Sequence, residues 1–277
     1  KNHSPDVVTQ VTKPPKHGLI VSALGKQFDV PTVYRLSGDR FGAYTVRPTL
    51  QKPVYFGYNN LFGRVPLRLS DYYISLGTSG QQSLMKMGVA KDRVTILPPA
   101  IDSTKFQPDL DPVDLSTVPD NRRVVLFVGR LIRLKGIETL ESIIPDVVDQ
   151  QPDLHFLLVG DPVETLDVPS AYRDHITIVG PVPPDQMPHF YSLANVLVHP
   201  SLTEGLPLVL IEALLSEVPV IARSVGDIPD ITQNTFENKS ELKALLGRIG
   251  DLPLDDGRRF SISSLSKNYA QFYSKFI

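Results

Sequence analysis

In the second half of the chain, four short apolar runs each stop at a glycine or a proline. Residues 124–128 (Val-Val-Leu-Phe-Val) stop at Gly129, 155–159 at Gly160, 176–179 at Gly180, and 196–198 at His199-Pro200. Dense apolar runs this short mark strands buried on both faces of a parallel sheet. The stretches 137–148 and 207–216 between them have helical spacing, and a further strand, 218–222, precedes the loop 224–229. Strands alternating with helices make an α/β fold. Turn residues at each carboxyl end put loops where open α/β sheets bind ligands.

The first half repeats the alternation more weakly. Residues 6–11 and 31–36 read as strands flanking a helix around 18–27. A third strand follows at 72–76, then a helix at 79–87 with Ser79 as its N-cap. From 107 to 121, Pro and Asp replace apolar periodicity, the composition of an interdomain linker. The expected division is a partial N-terminal domain at 1–107, a linker at 108–121, a C-terminal domain at 122–258, and a tail at 259–277. The amphipathic part of that tail, 265–276, is expected to pack back on the first domain.

With 28 Lys+Arg against 30 Asp+Glu the chain has no basic excess to neutralise phosphates, so nucleic acid is not an expected partner. The absence of cysteine excludes disulfides, zinc–thiolate sites and thiol nucleophiles, which suits a cytoplasmic protein. No apolar run approaches the ~20 residues that span a bilayer, and no strongly basic amphipathic helix stands out. The opening Lys1-Asn2-His3-Ser4-Pro5 lacks the apolar core of a signal peptide, so the sequons at Asn2 and Asn238 are read as chance. The missing initiator methionine points to a fragment or a processed form.

Several motifs fail. Gly25-Lys26 is preceded five residues earlier by Ile20 and followed by Gln27, so it is not a phosphate loop. No Gly-x-Gly-x-x-Gly or Gly-x-Ser-x-Gly occurs. Asp109-Leu110-Asp111 has the form of a metal-binding Asp-x-Asp, but it lies in the expected linker rather than at a strand end. No metal site is expected.

One constellation remains. Glu204 and Glu212 are separated by seven residues, with Pro207 suited to the first position of the helix between them. Amides at Leu208 and Val209 would lack intrahelical partners and, with the helix dipole, favour an anion. Glu212 lies ~7–8 Å along the axis from Pro207. The bland alternative is a helix with one exposed Glu and a capping loop Glu, and spacing alone does not decide between the two. Arg130 follows the strand end at Gly129, and Lys135 stands five residues on, before Gly136 and the next helix. Two cations at this edge suit a leaving diphosphate, Arg by bidentate geometry and Lys as a point charge. Arg133, between them, reads as a solvated basic residue.

The run Leu126-Phe127-Val128-Gly129-Arg130 with Lys135-Gly136 resembles the family-4 retaining glycosyltransferases of the GT-B fold. So do Val179-Gly180-Pro181-Val182, Phe190-Tyr191-Ser192-Leu193-Ala194-Asn195, His199-Pro200-Ser201 with the paired glutamates, and Val225-Gly226-Asp227-Ile228-Pro229. The resemblance is dense from 124 to 230. It implies two Rossmann-like parallel-sheet domains, the first one shortened.

It implies further that Arg130 and Lys135 bind the donor diphosphate, that Glu212 binds the ribose, and that Glu204 with the amides of Gly205 and Leu206 faces the transferred sugar. Gly129, Leu208 and Val209 complete the donor site, and Val182 lines the base pocket. The implied reaction moves a sugar from a nucleotide donor to a hydroxyl on a glycan or lipid-linked acceptor. It proceeds with retention and without cofactor or obligatory metal, at the inner face of a membrane where the acceptor is lipid-linked. The chain departs from the family in lacking an early Gly-rich turn and in having Ser37 where a histidine is frequent, which leaves Arg35 or Asp39 for the acceptor side. Two other readings share the architecture: a donor-binding remnant without catalysis, and a nucleotide-sugar epimerase.

Overall fold

The computed structural model describes residues 5–11, 15–38, 40–42 and 44–277. In chain order its elements are β1 (Val8–Gln10), α1 (Lys16–Phe28), β2 (Thr32–Leu36), α2 (Lys52–Phe56), α3 (Arg64–Leu69), β3 (Tyr72–Ser75), α4 (Thr78–Lys86) and β4 (Val94–Ile96). There follow β5 (Arg123–Val128), α5 (Ile137–Gln150), β6 (Leu154–Val159), β7 (Ile176–Val179), α6 (Met187–Ser192), β8 (Val196–His199), α7 (Leu208–Leu215), β9 (Val220–Arg223), β10 (Thr235–Phe236), α8 (Lys239–Leu246) and α9 (Ile262–Tyr273). Between α2 and α3 the chain continues as a π-helical segment, Gly57–Phe62.

Two compact units form. Unit 1 comprises Lys1–Ala100, Thr203–Leu206 and Ser263–Ile277; unit 2 comprises Ile101–Leu202 and Pro207–Ile262. Each is built on one all-parallel sheet, of four strands in unit 1 and six in unit 2. The α/β reading with two parallel sheets holds.

In unit 1 the strands run in sequential order, β1-β2-β3-β4. Alternation along β2 and β3 sends Tyr34, Leu36 and Tyr73 to one face, where they bury Leu67 of α3 and Leu84 of α4. Val33 and Ile74 go to the other face, where Phe272 of α9 covers them with Leu97. Aromatic edge contacts such as Tyr72–Phe276, 4.9 Å between centroids, extend that layer, and the Tyr269 hydroxyl donates to the Pro98 carbonyl at 2.8 Å. One expected detail differs. Helix α4 begins at Thr78 with Gly77 at the cap position, so Ser79 is not the cap. The buried Ser75 hydroxyl instead closes this turn by donating to the Gly77 carbonyl at 3.0 Å.

Unit 2 holds the larger core, where α5 and α8 pack Ile143, Ile144, Val147 and Leu242 against Phe156, Leu158, Val198 and Phe236 of the sheet. The Pro- and Asp-rich stretch 107–121 has no regular structure, yet it is bonded to this unit rather than swinging free. Val113 N–H donates to the His189 carbonyl at 3.1 Å, and His189 Nδ1 bonds the Asp111 carbonyl at 2.7 Å. The Thr177 hydroxyl donates to Thr117 O at 3.1 Å and so accepts from Nε2–H of buried His155 at 2.9 Å.

Burial, with Arg122 and His175 adding repulsion, lowers the His155 pKa to about 4. The folded state therefore holds this imidazole neutral, while the unfolded chain binds its proton near pH 6.5. Its contribution is complete above pH 6.5 and is lost as pH falls from there towards 4. Urea unfolding of wild type is expected to lose up to about 3 kcal/mol across that window, and His155→Gln, which keeps a donor for Thr177, is expected to flatten the slope. Equal slopes would remove His155 from the account.

Candidate functional site

Rewritten from its far edge, the sheet of unit 2 runs β7-β6-β5-β8-β9-β10. The chain enters at the centre on β5, winds outward to β7, and returns beside β5 on β8. Pairs Val125–Val196 and Leu126–Leu197 join the two halves. Neighbouring crossovers leave β5 and β8 in opposite directions, so a crevice opens beyond their carboxyl ends, the place where such sheets bind ligands. Gly129 and Arg130 leave β5 there, and Pro200 and Ser201 leave β8.

The loop from Gly129 to Gly136 is held on both sides. Towards β6, Gly129 N–H donates to the Val159 carbonyl and Leu131 N–H to Asp161, both at 2.9 Å, and Arg133 N–H reaches the Glu164 carboxylate at 3.0 Å. Gly160 passes so close that a Cβ there would lie 2.1 Å from Gly129 O. Towards β8, Leu202 N–H donates to Leu134 O at 3.0 Å. Gly136 has φ 83°, and a Cβ would fall 2.2 Å from Pro200 O. Only glycine meets both demands. Arg130 is exposed and Lys135 half-buried on this clamped loop. Arg133 is exposed and pairs with Glu138 at 3.5 Å, a contact of little energetic weight.

Arg223, at the end of β9, ties the same edge together. Its guanidinium donates to Pro200 O at 3.2 Å, Glu237 O at 3.0 Å and Thr139 Oγ1 at 3.1 Å, and it lies 5.0 Å over the Phe236 ring. One cation thus joins the exit of β8, the first turn of α5 and the exit of β10. Ser201 Oγ, fully buried at that exit, has no hydrogen-bond partner.

Helix α7 begins one residue later than expected. Pro207 is extended, with ψ 124°, and caps the helix that starts at Leu208. Its ring cannot donate a hydrogen bond, so the cap position suits it as well as the first turn would. The first-turn amides of Leu208 and Val209 have no intrahelical acceptor. Glu212 is not the exposed helix residue of the bland reading. It is largely buried, and the Tyr191 hydroxyl of α6 donates to its Oε2 at 2.7 Å. Burial raises the Glu212 pKa, and the Tyr191 bond opposes that rise. The Tyr191 phenol, buried and beside a carboxylate, is pushed well up in turn, and its ring meets Phe106 edge-on at 6.1 Å. Val182 follows β7, two strand spacings or about 10 Å from the line of β5.

The other expected residues fall in unit 1. Thr203–Leu206 belongs to its contacts, carrying Glu204, Gly205 and Leu206. A Cβ on Gly205 would lie 2.5 Å from Gly38 Cα. Thr203, Glu204 and Gly205 share with Ser37, Gly38, Arg40, Arg47, Tyr55 and Asn59 a cavity of about 290 Å³. The Arg47 guanidinium stands 4.4 Å over the Tyr55 ring, and its Nε is buried without an acceptor. Arg35 is not in this cavity. It shares the strand face of Val33, towards α9, where its charge acts on Tyr269. Asp39 lies outside the described residues. Tyr191, Arg223, Arg40 and Arg47 were not singled out from the sequence. Tyr191 sat within a motif, but its partner 21 residues away is visible only once α6 and α7 pack.

Two changes probe this edge. Gly136→Ala is expected to disorder the 129–136 loop, seen as faster amide exchange there with the rest of the unit still protected; unchanged exchange would contradict the packing. Tyr191→Phe removes the one hydrogen bond that lowers the Glu212 pKa. A carbon-13 NMR titration of the Glu212 carboxyl should therefore show its midpoint rise, and an unmoved midpoint would deny the bond.

Residues 122–249, which contain the whole sheet of unit 2, match the family described as "Glycosyl transferases group 1". Among relatives, the phosphatidylinositol N-acetylglucosaminyltransferase GPI3 subunit of Saccharomyces cerevisiae is 25% identical over 194 residues, covering 65% of this chain and 43% of that protein. D-inositol 3-phosphate glycosyltransferase of Corynebacterium glutamicum is 30% identical over 154 residues, covering 50% and 37%. The chain thus spans less than half the length of these relatives. The crystal structure of Anabaena Alr3699/HepE in complex with UDP-glucose superposes with a TM-score of 0.71 at 18% identity, over 98% of this chain and 79% of that one. This likeness establishes the GT-B type of fold.

Proposed function

We propose that this chain is a glycosyltransferase that moves a sugar from a nucleoside-diphosphate donor to a hydroxyl of a lipid-linked acceptor, with retention at the anomeric carbon. The observation that carries the reading is the switch point of unit 2, where the glycine-clamped loop bearing Arg130 and Lys135 leaves β5 beside the exit of β8. As the bond from the anomeric carbon to the diphosphate breaks, negative charge grows on the leaving oxygens. Arg130 and Lys135 stabilise that charge more in the transition state than in the bound donor. The first-turn amides of Leu208 and Val209 add their dipoles. Glu212, with one oxygen held by Tyr191, offers the other to the ribose hydroxyls, and Val182 borders the base.

Glu204, with the amides of Gly205 and Leu206, faces the transferred sugar. The acceptor hydroxyl oxygen forms the new bond to the anomeric carbon as the bond to the diphosphate breaks, and its proton passes to the departing diphosphate oxygen. Two relatives are named for inositol-bearing acceptors, and Arg40 and Arg47 give the cavity around Glu204 a cationic wall for the phosphate of such an acceptor. No metal ion is required, because these cations occupy the role of charge neutralisation. The reaction belongs to the cytoplasmic face of a membrane.

Calorimetry with a panel of nucleoside diphosphates, beginning with UDP, tests the donor site. One member should bind, Arg130→Ala and Lys135→Ala should each weaken binding, and the double variant should slow donor turnover by about 100-fold or more. Turnover should persist in a metal chelator. A folded sample that binds none of the panel would overturn the reading. Binding without hydrolysis or transfer to any inositol-bearing acceptor would leave a donor-binding protein instead of an enzyme, and an altered sugar nucleotide formed without acceptor would make it an epimerase.

A further inference from the structure

Charge is divided unevenly along this chain. Unit 1 carries 15 Lys+Arg and 6 Asp+Glu, and unit 2 carries 13 and 24, so a chain of net −2 consists of one part at +9 and another at −11. The excess is concentrated. Residues 7–28 and 40–70 together hold eight Lys or Arg and no Asp or Glu.

The same stretches turn large apolar side chains outward. In α1 the buried residues are Gly18, Ser22 and Gly25, whereas Ile20, Leu24 and Phe28, one turn apart, are exposed, Phe28 by 66%. Close packing imposes this inversion. A Cβ on Gly18 would lie 2.5 Å from the Tyr34 ring and one on Gly25 2.0 Å from Thr32 Cγ2, and Ser22 Oγ meets Ser70 Oγ at 2.8 Å. Helix α1 therefore approaches β2 and α3 through its small residues, and its large ones face solvent. Beyond the sheet, Leu50 is exposed by 93%, Val54 by 70% and Leu61 by 62%, and Tyr58 stacks on Phe62 at 5.8 Å in the π-helical segment. That segment runs directly into α3, which packs on α1, so these side chains belong to one helical layer. Lys16, Lys26, Arg64 and Arg68 are exposed among them. The pattern is hidden in the sequence because it is spread over several helices, none strongly basic alone.

Cations interleaved with outward aliphatic and aromatic side chains suit the interface of a bilayer bearing anionic headgroups. There the cations meet headgroup charge while the apolar side chains enter the acyl boundary. A second copy of this chain would bring the same positive charge against itself. We propose that the α1–α2–α3 layer of unit 1 is a peripheral docking face for anionic lipid membranes. Among the described residues no helix is long and apolar enough to cross a membrane. The inference deepens the reading of a lipid-linked acceptor and rests on that reading for its purpose, but vesicle binding does not require the donor site.

The test is co-sedimentation with phosphatidylcholine vesicles and with vesicles containing phosphatidylglycerol, at low and high salt, alongside nucleotide binding by the same samples. The chain should bind the anionic vesicles preferentially and release them in salt. Arg64→Glu/Arg68→Glu and, separately, Leu24→Ser/Phe28→Ser/Leu61→Ser should each weaken binding about tenfold or more with nucleotide binding unchanged. Absent vesicle binding, indifference to lipid charge, or unaltered binding by both variants would overturn the docking face while leaving the donor reading intact. A dimer in sedimentation velocity that the apolar variant disperses would assign the face to a second copy and equally overturn it. Vesicle binding without nucleotide binding would sink the donor reading alone.

Discussion

The parallel pairing of β5 with β8 is the constraint on which the rest of unit 2 depends. Because β5 is laid down first and β8 joins it only after the chain has wound out to β7, the two loops that matter leave neighbouring strands in opposite directions. Hydrogen bonds of the sheet thereby bring together residues some seventy positions apart. The glycines at 136 and 160 let neighbouring strand-end loops approach to distances that any side chain would forbid. The crevice is a consequence of strand order, and its chemistry a consequence of which residues follow the strands.

Two polar side chains, half-buried Arg223 and buried Tyr191, tie that edge together. Arg223 gives its guanidinium donors to three separate elements, so its partial desolvation is offset by the two carbonyls and the hydroxyl that accept from it. Tyr191 holds one oxygen of Glu212, which keeps a largely buried carboxylate oriented and less inclined to take up a proton. Neither residue needs to touch a ligand to matter. Arg223 holds the exits of β8 and β10 to the start of α5, and Tyr191 holds the Glu212 carboxylate.

The two units also differ electrostatically, and the difference follows the work proposed for each. In acidic unit 2, Arg130 and Lys135 stand at one sheet edge against an otherwise negative background, which is where the proposed function puts a diphosphate. Basic unit 1 spreads its charge over a helical layer that also exposes aliphatic side chains. A net charge near zero for the chain conceals both.

The sequence by itself determined the class of fold and the strand ends. Apolar runs closed by glycine or proline can be little else than buried parallel strands, and Arg130, Lys135 and Glu212 were singled out as donor-site candidates on the loop and the helix that follow such ends. Pro207 was misplaced by one residue and Ser79 by two at a helix start, where capping depends on the local turn rather than on residue type. Arg35, offered with Asp39 for the acceptor side, stands on the strand face of Val33, towards α9, and the contacts of that face with Phe272 lie far along the chain. Tertiary structure alone decided the Tyr191–Glu212 bond, the bridging by Arg223, the transfer of Thr203–Leu206 to unit 1, and the outward turn of α1. Each of these joins residues that are distant in sequence, and side-chain packing, unlike local periodicity, leaves no mark in a single chain's spacing.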